Sequence, residues 1–412
     1  MNQSSPPDEL TPRHVRAARA LLAWSQQELA KSAGVATSTV ADFERGHRTP
    51  MANNALAIRN ALEAAGISFL PQGAVIGPAL PPIAPAERPG IPIRWVTSED
   101  LADWANRNDA VESMPTLLSH LVYATEGAGV WRRFPADESV RFSGWDGLTS
   151  GQTSSLYVPK GEAGWEITTQ RKDIAGKATN DYRKRTENPA PLDPHDATYV
   201  FVSTRPWPSK HEWVSERKKE GVWKDVRAYD ADDLVHWIEQ TPSVGLWLAS
   251  RLSKRPVGVR ELNDVWEEWS LATVQPLSEE LVLSDRDQDA AETLLWLRRS
   301  PSMLSLQANT AEEVVAFFHA TLRMLPEEAS IAYRVRCLVA TTADAARALS
   351  EAPAPLILLM MEPDPGLAKV LVARGHYVLQ CYDERQVSRG DLRTLERPSR
   401  EGIVFALSQA GV

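Results

Sequence analysis

Residues 11–70 constrain the chain more than any other stretch, because cap and turn residues recur there at helical spacing. Thr11 before Pro12 reads as an N-cap with proline in the first turn, where its missing N–H is no loss. Val15, Ala18 and Leu22 share one face of a first helix that ends near Leu22. Ser25 and Glu28 form a capping box for a second helix, with Leu29, Ala30 and Ala33 facing inward. Gly34 closes it by taking the left-handed conformation that other residues avoid. A third short helix, from Thr37 to Glu44, turns Val40 and Phe43 inward beside Val35 and keeps a polar outer face. Leu56, Leu62, Ile67 and Phe69 are expected to complete a small all-α core.

Two short helices at a tight turn, the second polar outside, form the layout of a helix-turn-helix, whose second helix enters the DNA major groove. Charge agrees locally: residues 11–70 hold seven Lys/Arg against four acids, although the 412-residue chain carries −9 overall. A duplex would therefore be met by this head rather than by the whole surface. The string SQQELAKSAGVATSTVADFERGHRTP, residues 25–50, resembles the phage-repressor (Cro/C1, XRE-type) helix-turn-helix family. That resemblance implies double-stranded DNA as partner, with Gln26 anchoring a phosphate at the start of the second helix. It places Thr37, Ser38 and Asp42 at base edges, and Thr39, Arg45 and Arg48 on the DNA backbone. It also implies a structural ion pair between Arg19 and Glu44. Thr37 and Ser38 are shorter than the Gln or Arg used for bidentate base contacts, each worth about 1–3 kcal/mol of discrimination. Modest specificity, or reliance on a homodimer, follows.

Residues 71–92 change character, with seven prolines and Gly73, Gly77 and Gly90. They read as a semi-rigid spacer and a domain boundary. The expected chain is multidomain: a helix-turn-helix head (11–70), the proline-rich linker (71–92), an α/β middle domain (93–255) and a C-terminal α/β domain (256–412). The C-terminal domain has no obvious closing element, so the chain is open to being a piece of something longer. Two cysteines, Cys337 and Cys381, make no disulfide framework, and no Cys/His cluster has zinc spacing. With no signal-peptide pattern and no apolar run of membrane-spanning length, a cytoplasmic location is expected.

The middle region runs helix, three strand-like stretches (near 140–142, 155–158 and 164–170), a polar helix near 177–186, and an apolar strand at 198–202. That order resembles the PD-(D/E)XK restriction-endonuclease-like fold. The resemblance implies magnesium bound by Asp146 and Glu166, with Lys172 steadying the attacking water. The chemistry suits phosphodiester cleavage, since magnesium prefers hard oxygen ligands and neutralises charge developing on phosphate. Strand alternation would set Glu166, Thr168, Gln170 and Lys172 on one face. A strict Glu-x-Lys fails because residue 168 is Thr. Gln170-Arg171-Lys172 is one substitute, Lys177 from the next helix another, and Glu112 an additional acid. The basic helix 177–186 either tracks a phosphate backbone or is simply solvated. The tryptophans here, among them Trp207, Trp213, Trp223, Trp237 and Trp247, are expected in the core rather than stacked on bases.

From residue 256 onward, strand-like and helical runs alternate, which implies a parallel sheet with helices on its faces. The layout resembles a degenerate P-loop ATPase core. After its first strand, however, the chain reads Gln307-Ala308-Asn309-Thr310, without the Gly-x-x-x-x-Gly-Lys cradle, so no nucleotide is expected. Glu362 and Asp364, after the apolar run 356–361, mimic a metal-binding strand end. Two functional readings stand: a sequence-specific DNA-binding regulator carrying a nuclease-like domain, or a magnesium-dependent DNA endonuclease of a phage-defence or restriction-type system.

Overall fold

The computed structural model describes residues 10–69, 75–76, 91, 93–127, 130–135, 144–386 and 392–409. The head contains α1 (Pro12–Leu22), α2 (Gln26–Ala33), α3 (Thr37–Glu44) and α4 (Ala52–Ala64). Thr11 and Ser25 cap α1 and α2 through their side-chain oxygens, and Gly34 sits at φ +65° where α2 stops. Val15, Ala18, Leu29, Val40, Phe43, Ile58 and Leu62 are buried together. Leu56, expected in this core, is 57% exposed. The pair β1 (Ser68–Phe69) and β2 (Val75–Ile76) then runs antiparallel. The expected spacer thus contributes a short strand to the head, while residues 71–74, 77–90 and 92 lie outside the described residues.

The middle region holds α5 (Ser98–Trp104), α6 (Asn108–Glu126), β3 (Val130–Arg133), β4 (Gly147–Gly151), β5 (Gly161–Thr168), α7 (Ile174–Glu187) and β6 (Thr198–Ser203). It continues with α8 (Lys210–Glu220), β7 (Asp225–Tyr229), α9 (Ala231–Gln240) and α10 (Pro242–Arg251). Its strands lie in the order β3-β4-β5-β6-β7. The first three run antiparallel, and β5, β6 and β7 are parallel. Residues 155–158, read as a strand, form a loop instead, and the expected strand at 140–142 lies outside the described residues.

In the middle sheet the sequence pattern misses both β3 and β4, and the composition of β4, Gly-Leu-Thr-Ser-Gly, carries no β signal. Its glycines are there because neighbouring side chains fill their space. A Cβ at Gly147 would lie 2.2 Å from the Phe134 ring, and one at Gly151 2.6 Å from Val130. On β5, Gly164 is similarly roofed by Trp145, 2.6 Å from where a Cβ would stand. Gly164→Ala is therefore expected to lower stability by about 1–3 kcal/mol through overpacking, read as a lower urea midpoint by tryptophan fluorescence. An unchanged midpoint would contradict this packing. Trp207, Trp213 and Trp223 join Tyr199 and Phe201 in one buried cluster, as core residues.

The C-terminal region begins with β8 (Val259–Arg260), α11 (Leu262–Ser270), α12 (Glu279–Leu283), α13 (Asp287–Arg298), β9 (Met303–Gln307) and α14 (Ala311–Arg323). It goes on through α15 (Glu327–Arg334), β10 (Cys337–Ala340), α16 (Ala343–Ala348), β11 (Ile357–Met360) and α17 (Pro365–Ala373). It closes with β12 (Tyr377–Tyr382), β13 (Arg393–Thr394) and α18 (Arg400–Gln409). The sheet order is β13-β9-β12-β11-β10-β8, parallel except for the antiparallel edge strand β8. Among the described residues, this region and the head form one compact unit. Residues 91–257 together with 351–356 form the other.

Candidate functional site

The head is held by one buried ion pair. Arg19 donates from Nε and Nη2 to the two carboxylate oxygens of Glu44, both at 2.9 Å, and from Nη1 to the Trp24 carbonyl at 2.6 Å. Burial opposes the Arg19 charge, but Glu44 and then Asp287 beside it hold its pKa above the ordinary value. This is the arginine–glutamate pair that the resemblance implies, and it ties α1 to the end of α3.

Around that pair, Thr37 and Ser38 are exposed in the first turn of α3, Thr39 and Asp42 are half-buried, and Arg45 and Arg48 are exposed beyond its end. Gln26, expected to hold a phosphate, is engaged within the protein. Its side-chain amide donates to Glu44 at 2.9 Å, and its backbone N–H donates to Asp287 Oδ2 at 2.6 Å. The second oxygen of Asp287 lies 2.7 Å from Arg19 Nη2. Burial raises the Asp287 pKa, against the lowering by Arg19 and the Gln26 N–H.

In the middle sheet, Gly147 pairs with Trp165, which makes Asp146 and Glu166 the next opposed positions. Asp146 Oδ2 accepts the Ile167 N–H at 2.8 Å. Glu166 is buried and ion-paired with Arg185 of α7, which also donates to the Gly144 carbonyl and lies 4.9 Å from the Trp145 ring centre. Burial and then the Asp146 charge push the Glu166 pKa up to about 7, with Arg185 opposing. Burial likewise raises Asp146.

Lys172 does not join them. Strand β5 stops at Thr168, so the alternation that would align Gln170 and Lys172 with Glu166 ends first. Both are exposed in the turn before α7, where the Gln170 amide donates to the Lys172 carbonyl. Glu112 stays half-buried on α6. Lys177 pairs with Asp181 at 2.8 Å, and both charges are felt by Asp146.

The residues that sequence reasoning missed are therefore Asp181 and Arg185. Their signal was present: Ala178, Asp181, Tyr182 and Arg185 recur at helical spacing and are the buried face of α7. That helix buries this face and keeps Arg183 and Lys184 exposed on the other. Two polar atoms beside this cluster, Asp181 Oδ2 and Tyr199 Oη, have no hydrogen-bond partner among the described residues. Among the described residues, no group of three or more His, Cys, Asp or Glu is arranged to hold a metal ion. The Glu166 carboxylate, which the resemblance assigns to magnesium, is engaged by Arg185.

At the end of β9, the place of a phosphate loop is taken by side chains. Gln307 donates to the Asp383 and Gln386 carbonyls, both at 2.9 Å. Asn309 donates to Glu313 at 2.8 Å, and Glu313 pairs with buried Arg286 at 2.5 Å. Glu362 accepts the Ala343 N–H at the start of α16, and Asp364 caps α17. Both acids serve helix ends.

Residues 15–65 match the helix-turn-helix family. No curated protein and no solved structure matches the chain. The family match supports a DNA-binding head of the Cro/C1 (XRE) type, followed by α/β regions with mixed sheets. None of the described helices is long and apolar enough to cross a membrane.

Proposed function

We propose that this protein is a sequence-specific DNA-binding regulator whose middle and C-terminal sheets serve as non-cleaving, nucleotide-free scaffolds. The observation that carries this is the matched head, with Thr37 and Ser38 exposed on α3 and Arg45 and Arg48 exposed beyond it. In such heads the first turn of the second helix meets base edges, and basic side chains beside it hold phosphates. Two short hydroxyl side chains give little discrimination, so a homodimer on paired half-sites is the assembly proposed. The full chain is expected to retard duplex DNA at low salt. Arg48→Ala is expected to weaken binding to all sequences alike and to flatten the slope of log K against log salt by about one. Failure to retard any genomic fragment at low salt would overturn the reading.

The middle sheet supports a second reading. A helix, three antiparallel strands, a helix and a parallel strand, with Asp146 opposed to Glu166, is consistent with an endonuclease-like domain. Magnesium-dependent cutting of plasmid DNA, lost in Asp146→Ala and Glu166→Ala, would establish an endonuclease effector. Because Arg185 already neutralises Glu166, we expect no cutting. The C-terminal order, with its first parallel strand β9 between the last two, supports the likeness to a P-loop core. The Asn309–Glu313–Arg286 set in place of a glycine cradle supports the absence of nucleotide, and ATP turnover by the full chain would refute it.

A further inference from the structure

We propose that the acidic turn Asp285-Arg286-Asp287 is a built-in stand-in for DNA phosphate that masks the head's own binding face. The proposal rests on the DNA-binding reading above and adds a regulation to it. A helix N-terminus presents unpaired N–H groups and partial positive charge, which is why phosphates seat there. In a helix-turn-helix the first helix of the motif crosses the DNA backbone, so the start of α2 is a natural phosphate seat. Here that seat is filled. The Asp287 carboxylate takes the Gln26 N–H at 2.6 Å with one oxygen and meets Arg19 at 2.7 Å with the other. Asp285 lies 3.9 Å from the guanidinium of Arg45, at the far end of α3.

The turn is braced rather than loosely apposed. Between the two aspartates, Arg286 is only 1% exposed and plugs into the C-terminal region. It pairs there with Glu313 and donates to the Glu396 and Val282 carbonyls. Asp285 holds φ +60°, a left-handed conformation that costs a non-glycine residue about 1 kcal/mol or more. It is kept there by the Ser399 N–H, which donates to its Oδ2 at 2.7 Å. A buried arginine flanked by two outward acids therefore aims both carboxylates at the head. The cleft alongside, about 860 Å³, has Arg13, Arg16 and Arg45 on its head wall.

A tethered carboxylate competes at high effective concentration, so the head binds duplex only in the fraction of molecules whose turn has withdrawn. DNA and the acidic turn exclude one another because both need the Gln26 N–H. Wild-type affinity is thus lower, and its salt dependence shallower, than the head's cations allow.

The test measures binding of the full chain to fluorescein-labelled random-sequence duplex by anisotropy across a salt series. D285A/D287A is compared with wild type and with D264A/D344A, which removes two exposed aspartates elsewhere. Hydrogen exchange of the peptide spanning Gln26 reports the contact itself. We expect D285A/D287A to bind about tenfold tighter or more, with a salt slope steeper by up to about two, and to lose protection at Gln26. The control pair is expected to match wild type. If D285A/D287A does not fold, Asp285→Asn alone is expected to tighten binding two- to threefold. Equal affinity of wild type and variant, or tightening equal to that of the control pair, overturns the mask alone. So does unchanged protection at Gln26. No binding by any form, with protection lost in D285A/D287A, overturns the DNA-binding reading and the mask with it.

Discussion

Arg185→Met is expected to lower the stability of the middle unit by about 3–5 kcal/mol at pH 8 and by distinctly less at pH 5. The reason is the charge it leaves behind. Glu166 is buried opposite Asp146, and Arg185 is its ion-pair partner. With the folded pKa near 7, above the ordinary 4.5, the native state holds a proton that the unfolded state releases between those values. Stability from this group is therefore complete below about pH 4.5 and is lost as the pH rises through 7. Without Arg185 the carboxyl becomes still harder to ionise, so the penalty grows with pH. At pH 5 Glu166 is protonated in both proteins, and only the contacts of Arg185 with Gly144 and Trp145 are missing. Urea unfolding of wild type and variant at both pH values decides this. Equal losses at pH 5 and pH 8 would show that Arg185 acts by packing alone.

Arg19→Ala is expected to destabilise the head by a similar amount, about 3–5 kcal/mol, because it leaves Glu44 buried without its counter-charge. Glu44 is 4% exposed, and its remaining partner is the neutral amide of Gln26. The loss is expected to show first as faster hydrogen exchange in α1 to α3, before any change in the middle unit. Replacing Arg19 and Glu44 together by apolar residues of matched size is expected to recover much of the stability, since an empty apolar site bears no stranded charge. A double variant as unstable as Arg19→Ala would refute this account.

Local signals were legible where they are self-contained. The caps at Thr11 and Ser25 and the stop at Gly34 depend on residues three or four apart. The Arg19–Glu44 pair and the buried tryptophans also followed from pattern and resemblance. The carboxylate site was read only in part. Its lysine was placed on a strand carried to Lys172, whereas β5 ends at Thr168. Strand length is set by partner strands: β6 stops at Ser203, opposite Thr168, and leaves nothing further to pair with. Strand β4 was missed because its glycines are explained by rings on other segments, not by any local propensity.

By itself the sequence determined the head: its helix ends, its apolar face, its basic patch and its likeness to a family that reads DNA. Helical periodicity and capping act over one or two turns, so a string of 26 residues, 25–50, carries them whole. What surrounds the charges was decided only by the tertiary structure. Arg185 meets Glu166 from 19 positions away, and Asp287 meets Gln26 across 261. Burial makes an isolated charge costly, so each finds its partner wherever the fold brings one, and sequence distance carries no trace of that choice.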